Sequence, residues 1–319
     1  MPKTLLGFIW RVSGMNQVWL TLVSVMLFMI GTVSLEFQRR IVNDAFRGGV
    51  YKPILILAVI YFATTLVEGL LKLGLNLYRN WVGEAAVRWL RYAVFAAADP
   101  SPENPQADAA EGVQLSIVLD EADPVGGFVG ECISEPVLQA GVLVSVAGYL
   151  VYLQPLMALV IALVFIPQMG FVPLMQAAIN RRMQTRIYVL REISAAIVKA
   201  GTATTKDGLQ QPRIQKIFVM NMGIYVLKFS MNFLMNFMTQ TGTAAILALG
   251  GYFVVTGKTE VGTVVAFLSG LSKMNDPWGD LVSWYRDLQA TGVKYALVRD
   301  AAEIGAIQRN AEESAGAIG

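Results

Sequence analysis

Few ionisable residues stand inside the apolar runs of this chain, and their spacing limits the chemistry they can do. Glu68 and Lys72 are four apart with the acid first, so they share a helix face and are placed to pair. Ser269, Lys273, Asp276 and Asp280 follow one another at steps of four, three and four, again on one face, with Lys273 in reach of Asp276. Lys228, Asn232, Asn236 and Gln240 recur every four residues as a slowly winding polar stripe. Such groups are costly in lipid, so each set is expected to face a bundle interior, a wet cavity or another helix. The work open to them is ligand binding, helix-to-helix bonding or proton transfer. A structural ion pair is the leading reading for Lys273 and Asp276, and a proton relay that includes Glu68 is the sharper alternative. The stripe reads equally as a substrate-lining surface or as interhelical hydrogen bonding. Bond-breaking chemistry has little to work with. The chain has no His and one Cys, Cys132. His-based catalysis, zinc and haem are therefore excluded, and neither a catalytic residue nor a metal ligand set is expected.

These residues need long apolar helices to hold them. Of 319 residues, 55% are hydrophobic and only 15% charged, against about a quarter charged in soluble domains. Mean hydropathy is +0.52. The apolar residues fall in blocks close to the roughly 20 residues that span a bilayer core. A net charge of +2, with no basic patch interleaved with aromatics, gives no reason to expect a nucleic-acid partner.

In chain order, Leu5, Leu6, Ile9 and Trp10 suit one face of a short interfacial helix, and no signal-peptide cleavage pattern follows. Spans are expected at about 17–37, 53–77, 137–153, 156–179, 224–255 and from 261 onward. Gln38 to Lys52 reads as a polar connection, and the second helix continues to about Ala98 before the three prolines of 100–105. The acids of 112–136, with Pro124 and Gly126-Gly127, read as a water-exposed extension into the third span. Gln154-Pro155 makes a tight hairpin, and Pro167 and Pro173 suggest kinks. The segment from Asn180 to Lys216 is the densest in Lys and Arg, so the positive-inside rule puts it, and both termini, in the cytoplasm. Arg39, Arg40 and Arg47 then lie outside, against that rule. Phe229, Phe233 and Phe237 crowd the fifth span with Met231, Met235 and Met238, where ordinary packing outweighs a promiscuous apolar site.

The stretch 250–303 carries a family likeness. It contains Gly250-Gly251-Tyr252, a turn Gly257-x-x-x-Val261-Gly262-Thr263, the helix start Ala266-Phe267-Leu268-Ser269, and Pro277 about three turns in. These residues, in this order and spacing, resemble the last two transmembrane helices of ABC exporters with six helices per half. The resemblance implies an all-α membrane protein. Residues 1–300 would form the exporter transmembrane domain and 301–319 a cytoplasmic tail. Six transmembrane helices would carry long cytoplasmic extensions after spans two and four. It further implies short coupling helices docking on an ABC ATPase. One would fall near Asp108 and Glu111, before a Gly112-x-x-x-Ser116-x-x-x-Asp120 pattern, and the other around Thr204, Thr205, Lys206 and Asp207. The implied setting is a bacterial inner membrane, with the lipid bilayer and a second membrane subunit, identical or related, as partners.

No Gly-x-x-x-x-Gly-Lys-[Ser/Thr] cradle occurs in the sequence, so ATP hydrolysis is not expected from this chain. ATP and Mg would bind a partner subunit, and no cofactor is expected here. The candidate substrate-cavity residues are Glu68, Lys72, Lys228, Asn232, Asn236, Gln240, Ser269 and Lys273. Two other readings stay open: an ion-gradient-driven transporter of the same fold, and a non-transporting scaffold subunit of a membrane complex.

Overall fold

Long apolar runs leave helix as the backbone state that satisfies its own polar groups in lipid. A computed structural model describes residues 2–46, 48, 51–95, 121–200 and 210–316. Among these the regular structure is helical: α1 (Leu5–Phe46), α2 (Tyr51–Phe95), α3 (121–131), α4 (Ser134–Leu153), α5 (Pro155–Ala200), α6 (Gln210–Val255) and α7 (Val261–Gly316). Five of them, α1, α2, α4, α5 and α6, are long and apolar enough to cross a membrane. All but α4 also run far past the roughly 20 residues that a crossing needs: α1 has 42, α2 45, and α5 and α6 46 each. The apolar window of α2 is not buried within the chain at all. Phe62, Leu66, Leu70, Leu73 and Leu77 are exposed along it, an arrangement that water would penalise and lipid would not.

Several boundaries differ from the sequence-based expectation. The polar piece after the first span is helical to Phe46, and the chain reverses close to Gly48, whose φ of 68° suits glycine. Both α5 and α7 continue through their prolines, Pro167 and Pro173 in one and Pro277 in the other. Among the described residues the break in helical geometry falls instead at Ser13 in α1 (φ −139°). That kink separates a short N-terminal piece from the span. In this piece Leu5, Phe8 and Ile9 turn inward while Leu6 and Trp10 stay exposed, so the four residues expected on one face divide between two.

The chain forms two compact units. The first comprises residues 1–149 and 273–319. Its core gathers Phe8 and Leu20 from α1, Val82, Ala86 and Leu90 from α2, Val125 and Val129 from α3, Leu138 from α4, and Tyr295 and Val298 from α7. The Phe8 ring lies between those of Trp89, at 5.3 Å, and Tyr295, at 5.1 Å. Tyr295 Oη and Arg299 Nη1 donate to the carbonyls of Pro2 and Lys3 at 2.7 and 2.8 Å, tying the N-terminus to α7.

Helix α3 is the main correction. Asp123 and Glu131 are exposed, as expected, and Glu121 is half-buried, but Ala122, Val125, Phe128, Val129 and the following Cys132 are buried. The helix therefore packs into the core and does not form a solvated extension. Glycine makes the approach possible. A Cβ on Gly126 would lie 2.3 Å from Val87 Cγ2, and one on Gly130 would lie 2.1 Å from the carbonyl oxygen of Arg79. The two glycines are four residues apart, on one face of α3. Ion pairs staple the rim: Arg91 to Asp123 at 2.6 Å and Lys294 to Glu121 at 2.7 Å.

The second unit, residues 150–272, holds α5, α6 and the start of α7. Ile246, Met157, Phe267 and Leu271 fill its interior. A Cβ on Gly250 would meet Val264 Cγ2 at 2.8 Å and Met157 Cε at 3.0 Å, and one on Gly242 would meet Val164 Cγ2 at 2.7 Å. The α6–α7 turn ends in a paired cap. The Lys258 amide donates to Phe253 O (2.8 Å) and the Gly257 amide to Val254 O (3.0 Å), with Gly257 at φ 72°.

Candidate functional site

The polar residues predicted from the sequence divide between the two units. In the first unit the structure joins Glu68 of α2 to Lys273 of α7, with Nζ to Oε1 at 3.3 Å. Lys273 Nζ also donates to the carbonyl of Gly31 in α1 at 2.8 Å, and Ser34 Oγ donates to Glu68 Oε2 at 3.3 Å. Three helices therefore meet at one ion pair. Gly31 is what lets them meet, because a Cβ there would lie 3.1 Å from Glu68 Oε1 and 3.4 Å from Lys273 Nζ. This corrects two local pairings expected from spacing. Glu68 does not pair with Lys72, which stays exposed, and Lys273 does not pair with Asp276. Partners on other helices win because each local pair would leave its charge facing lipid or solvent on the helix surface.

In the second unit, Lys228, Asn232, Asn236 and Gln240 are all exposed on α6, and Ser269 is half-buried on α7. One position along α6 from this stripe, Tyr225, Phe229, Phe233 and Phe237 form an exposed aromatic ladder. The rings of Phe233 and Phe237 stack at 6.0 Å, and those of Tyr225 and Phe229 lie at 6.3 Å. The face thus alternates hydrogen-bonding groups with aromatic surface, a lining suited to amphipathic molecules or to a partner helix. Asp108, Glu111, Thr204, Thr205, Lys206 and Asp207 lie outside the described residues.

Two clusters were not singled out by the sequence reading. Near one end of α1, Glu36 accepts from Arg39 Nε (2.8 Å), Arg40 Nε (2.6 Å) and Tyr149 Oη (2.6 Å). The i,i+3 and i,i+4 spacing of the arginines was visible in the sequence, whereas Tyr149, 113 positions away, was not. The second cluster lines a cleft of about 420 Å³ between α2, α3, α4 and α7. Arg79 is bonded to Glu135 there, Gln139 donates to Asp280 at 2.9 Å, and Trp284 Nε1 donates to the Cys132 carbonyl at 3.0 Å. Partial desolvation against the cleft wall, and then the neighbouring Glu135, raise the accessible Glu131 carboxyl above its ordinary range. Burial pushes the Cys132 thiol up to about 11, which keeps it protonated and poorly nucleophilic.

No protein-family model and no curated protein matches this chain. The functional reading therefore rests on the chain's own residues. Among the described residues no group of His, Cys, Asp or Glu is placed to hold a metal ion.

Proposed function

We propose that this chain is the membrane-spanning permease subunit of an ABC-type exporter. It would move substrate by alternating access, driven by an ABC ATPase subunit that binds ATP and Mg. The observation that carries the reading is the α6–turn–α7 element. The motif residues Gly250 to Ser269 fall on a glycine-capped turn between two long helices, and α7 then continues for 56 residues from an apolar start into a charged half. A helix of that composition couples a membrane interior to an aqueous compartment, which is what transmission of a distant power stroke needs.

Further features support the same reading. α7 has no charge from Val261 to Ser272, so its apolar part is short, and Lys273 next to it is neutralised by Glu68. With that charge paired, α7 serves as a sixth crossing. In this reading the extensions of α2, α5 and α6 would be the arms that lead beyond the lipid toward coupling segments near 101–111 and 199–211. Both termini are cytoplasmic in this reading. The outward position of Arg39 and Arg40 conflicts with the positive-inside rule less than their number suggests, because both share the Glu36 carboxylate. A second membrane subunit, identical or related, completes the cavity, and the exposed polar and aromatic face of α6 is its substrate-facing lining. The membrane subunit does no bond chemistry; it contributes a bistable shape whose two states bind substrate differently.

The test is purification of the tagged chain from its native membrane in mild detergent, followed by reconstitution. A stoichiometric polypeptide carrying a phosphate-binding loop, and substrate movement dependent on ATP and Mg, are the expected results. A stable assembly that contains no such polypeptide and ignores ATP contradicts the reading.

A further inference from the structure

The cleft in the first unit has features that neither helix packing nor transmission of motion requires. Its walls come from four helices: Arg79 of α2, Glu131 of α3, Glu135 of α4, and Asp280, Trp284 and Asp287 of α7. At about 420 Å³ it falls in the range of small-molecule sites. Four carboxylates face one guanidinium, and three of them are partly engaged. Glu135 holds Arg79, Asp280 accepts from Gln139, and Asp287 pairs with its neighbour Arg286 at 2.9 Å. Glu131, exposed on the cleft wall, pairs with no cation among the described residues. Arg79 supplies the opposite demand. It is only 6% exposed, lines the cleft, and has neither Nε nor Nη2 bonded to any acceptor. A buried guanidinium with two unused donors is costly unless an acceptor completes it.

The cleft therefore asks for positive charge on one side and an acceptor oxygen on the other. A bare metal ion does not answer both, and the acids are not gathered closely enough to ligate one. Trp284 adds an aromatic wall on which an organic cation can rest. We infer that this cleft binds a small organic ammonium compound that carries an acceptor oxygen beside the amine, the ammonium against Glu131 and the oxygen toward Arg79. A peptide N-terminus and an ethanolamine phosphate headgroup share this chemistry. The inference does not rest on the transport reading, since it concerns binding by the first unit.

The experiment is calorimetric titration of the purified full chain in nanodiscs of phosphatidylglycerol, a lipid without an amine. Alanyl-alanine, N-acetyl-alanyl-alanine and putrescine serve as probes. Alanyl-alanine is expected to bind, the acetylated form to bind at least about tenfold more weakly for want of the ammonium, and Glu131→Gln to cause a similar loss. Arg79→Lys keeps the charge but loses the fork. It should weaken alanyl-alanine while leaving putrescine, which has no acceptor oxygen, unchanged. Glu84→Gln, on the outer face of α2, should change nothing. Glu131 is exposed, so its variant is expected to fold, and size-exclusion profiles check Arg79→Lys. Repeating the titration in phosphatidylethanolamine discs separates the sources. Lost dipeptide binding assigns the cleft to the lipid headgroup, and unchanged binding assigns it to a soluble amine; both support the shared chemistry. Absence of binding by every probe at about 10 mM in phosphatidylglycerol discs, equal binding of the acetylated dipeptide, or unaltered binding by Glu131→Gln overturns the proposal. None of those results touches the ATPase test above.

Discussion

Gly31, Glu68 and Lys273 show how one missing side chain can fix a polar contact in an apolar setting. The ammonium of Lys273 reaches both a carboxylate and a backbone carbonyl because nothing but hydrogen occupies the position between them. Each side chain of the pair is about one-third exposed within the chain, at 33% and 28%, so the pair is not a deeply buried one. Its worth is expected near the modest end for membrane polar contacts, about 1 kcal/mol of coupling in a double-mutant cycle of Glu68→Gln and Lys273→Met. Thermal denaturation in detergent measures it. The same variants separate a structural pair from a proton relay. With the pair structural, Glu68→Gln lowers the melting temperature by a few degrees and leaves substrate movement in place. Abolished movement with unchanged melting would instead make Glu68 a titrating group and favour an ion-gradient mechanism.

At the scale of elements, the contact of α3 with α2 is set by glycines on one face. Gly130→Ala places a methyl group against the Arg79 carbonyl, backbone against backbone, so the two helices must separate. A loss of about 2 kcal/mol or more is expected. Gly127→Ala has open space around its Cβ and is expected to be neutral or slightly stabilising, because alanine is the better helix former. Comparative melting of the two variants checks the contrast, and equal effects would refute a glycine-set crossing. The helices themselves were legible in the sequence wherever a long apolar run met a breaker. The Gly48 and Gly257 turns and the single residue Gln154 between α4 and α5 all stand where glycine or proline marks them. α3 was misread because its acids at 121, 123 and 131 drew attention from the apolar face of Ala122, Val125, Val129 and Cys132, spaced three and four apart. That spacing was the signal that could have found it. Pairings such as Glu68 with Lys273, 205 positions apart, leave no trace in local spacing.

At the scale of the whole molecule, the account requires six crossings. Five helices meet the demands of length and composition, α7 is not one of them, and in the proposed reading it crosses with Lys273 paired to Glu68. The turns at Tyr51, Gln154 and Lys258 then open to the outside. The exposed residues Tyr92 and Tyr188, near the ends of α2 and α5, would in that reading lie in the cytoplasm. The buried and protonated Cys132 gives little background to thiol labelling. The most direct measurement is therefore reaction of single cysteines at these five positions with a membrane-impermeant maleimide, on intact cells and on lysed ones. The expected pattern is labelling at 51, 154 and 258 from outside, with 92 and 188 reached only after lysis. Labelling of 188 and 258 from the same side would contradict it.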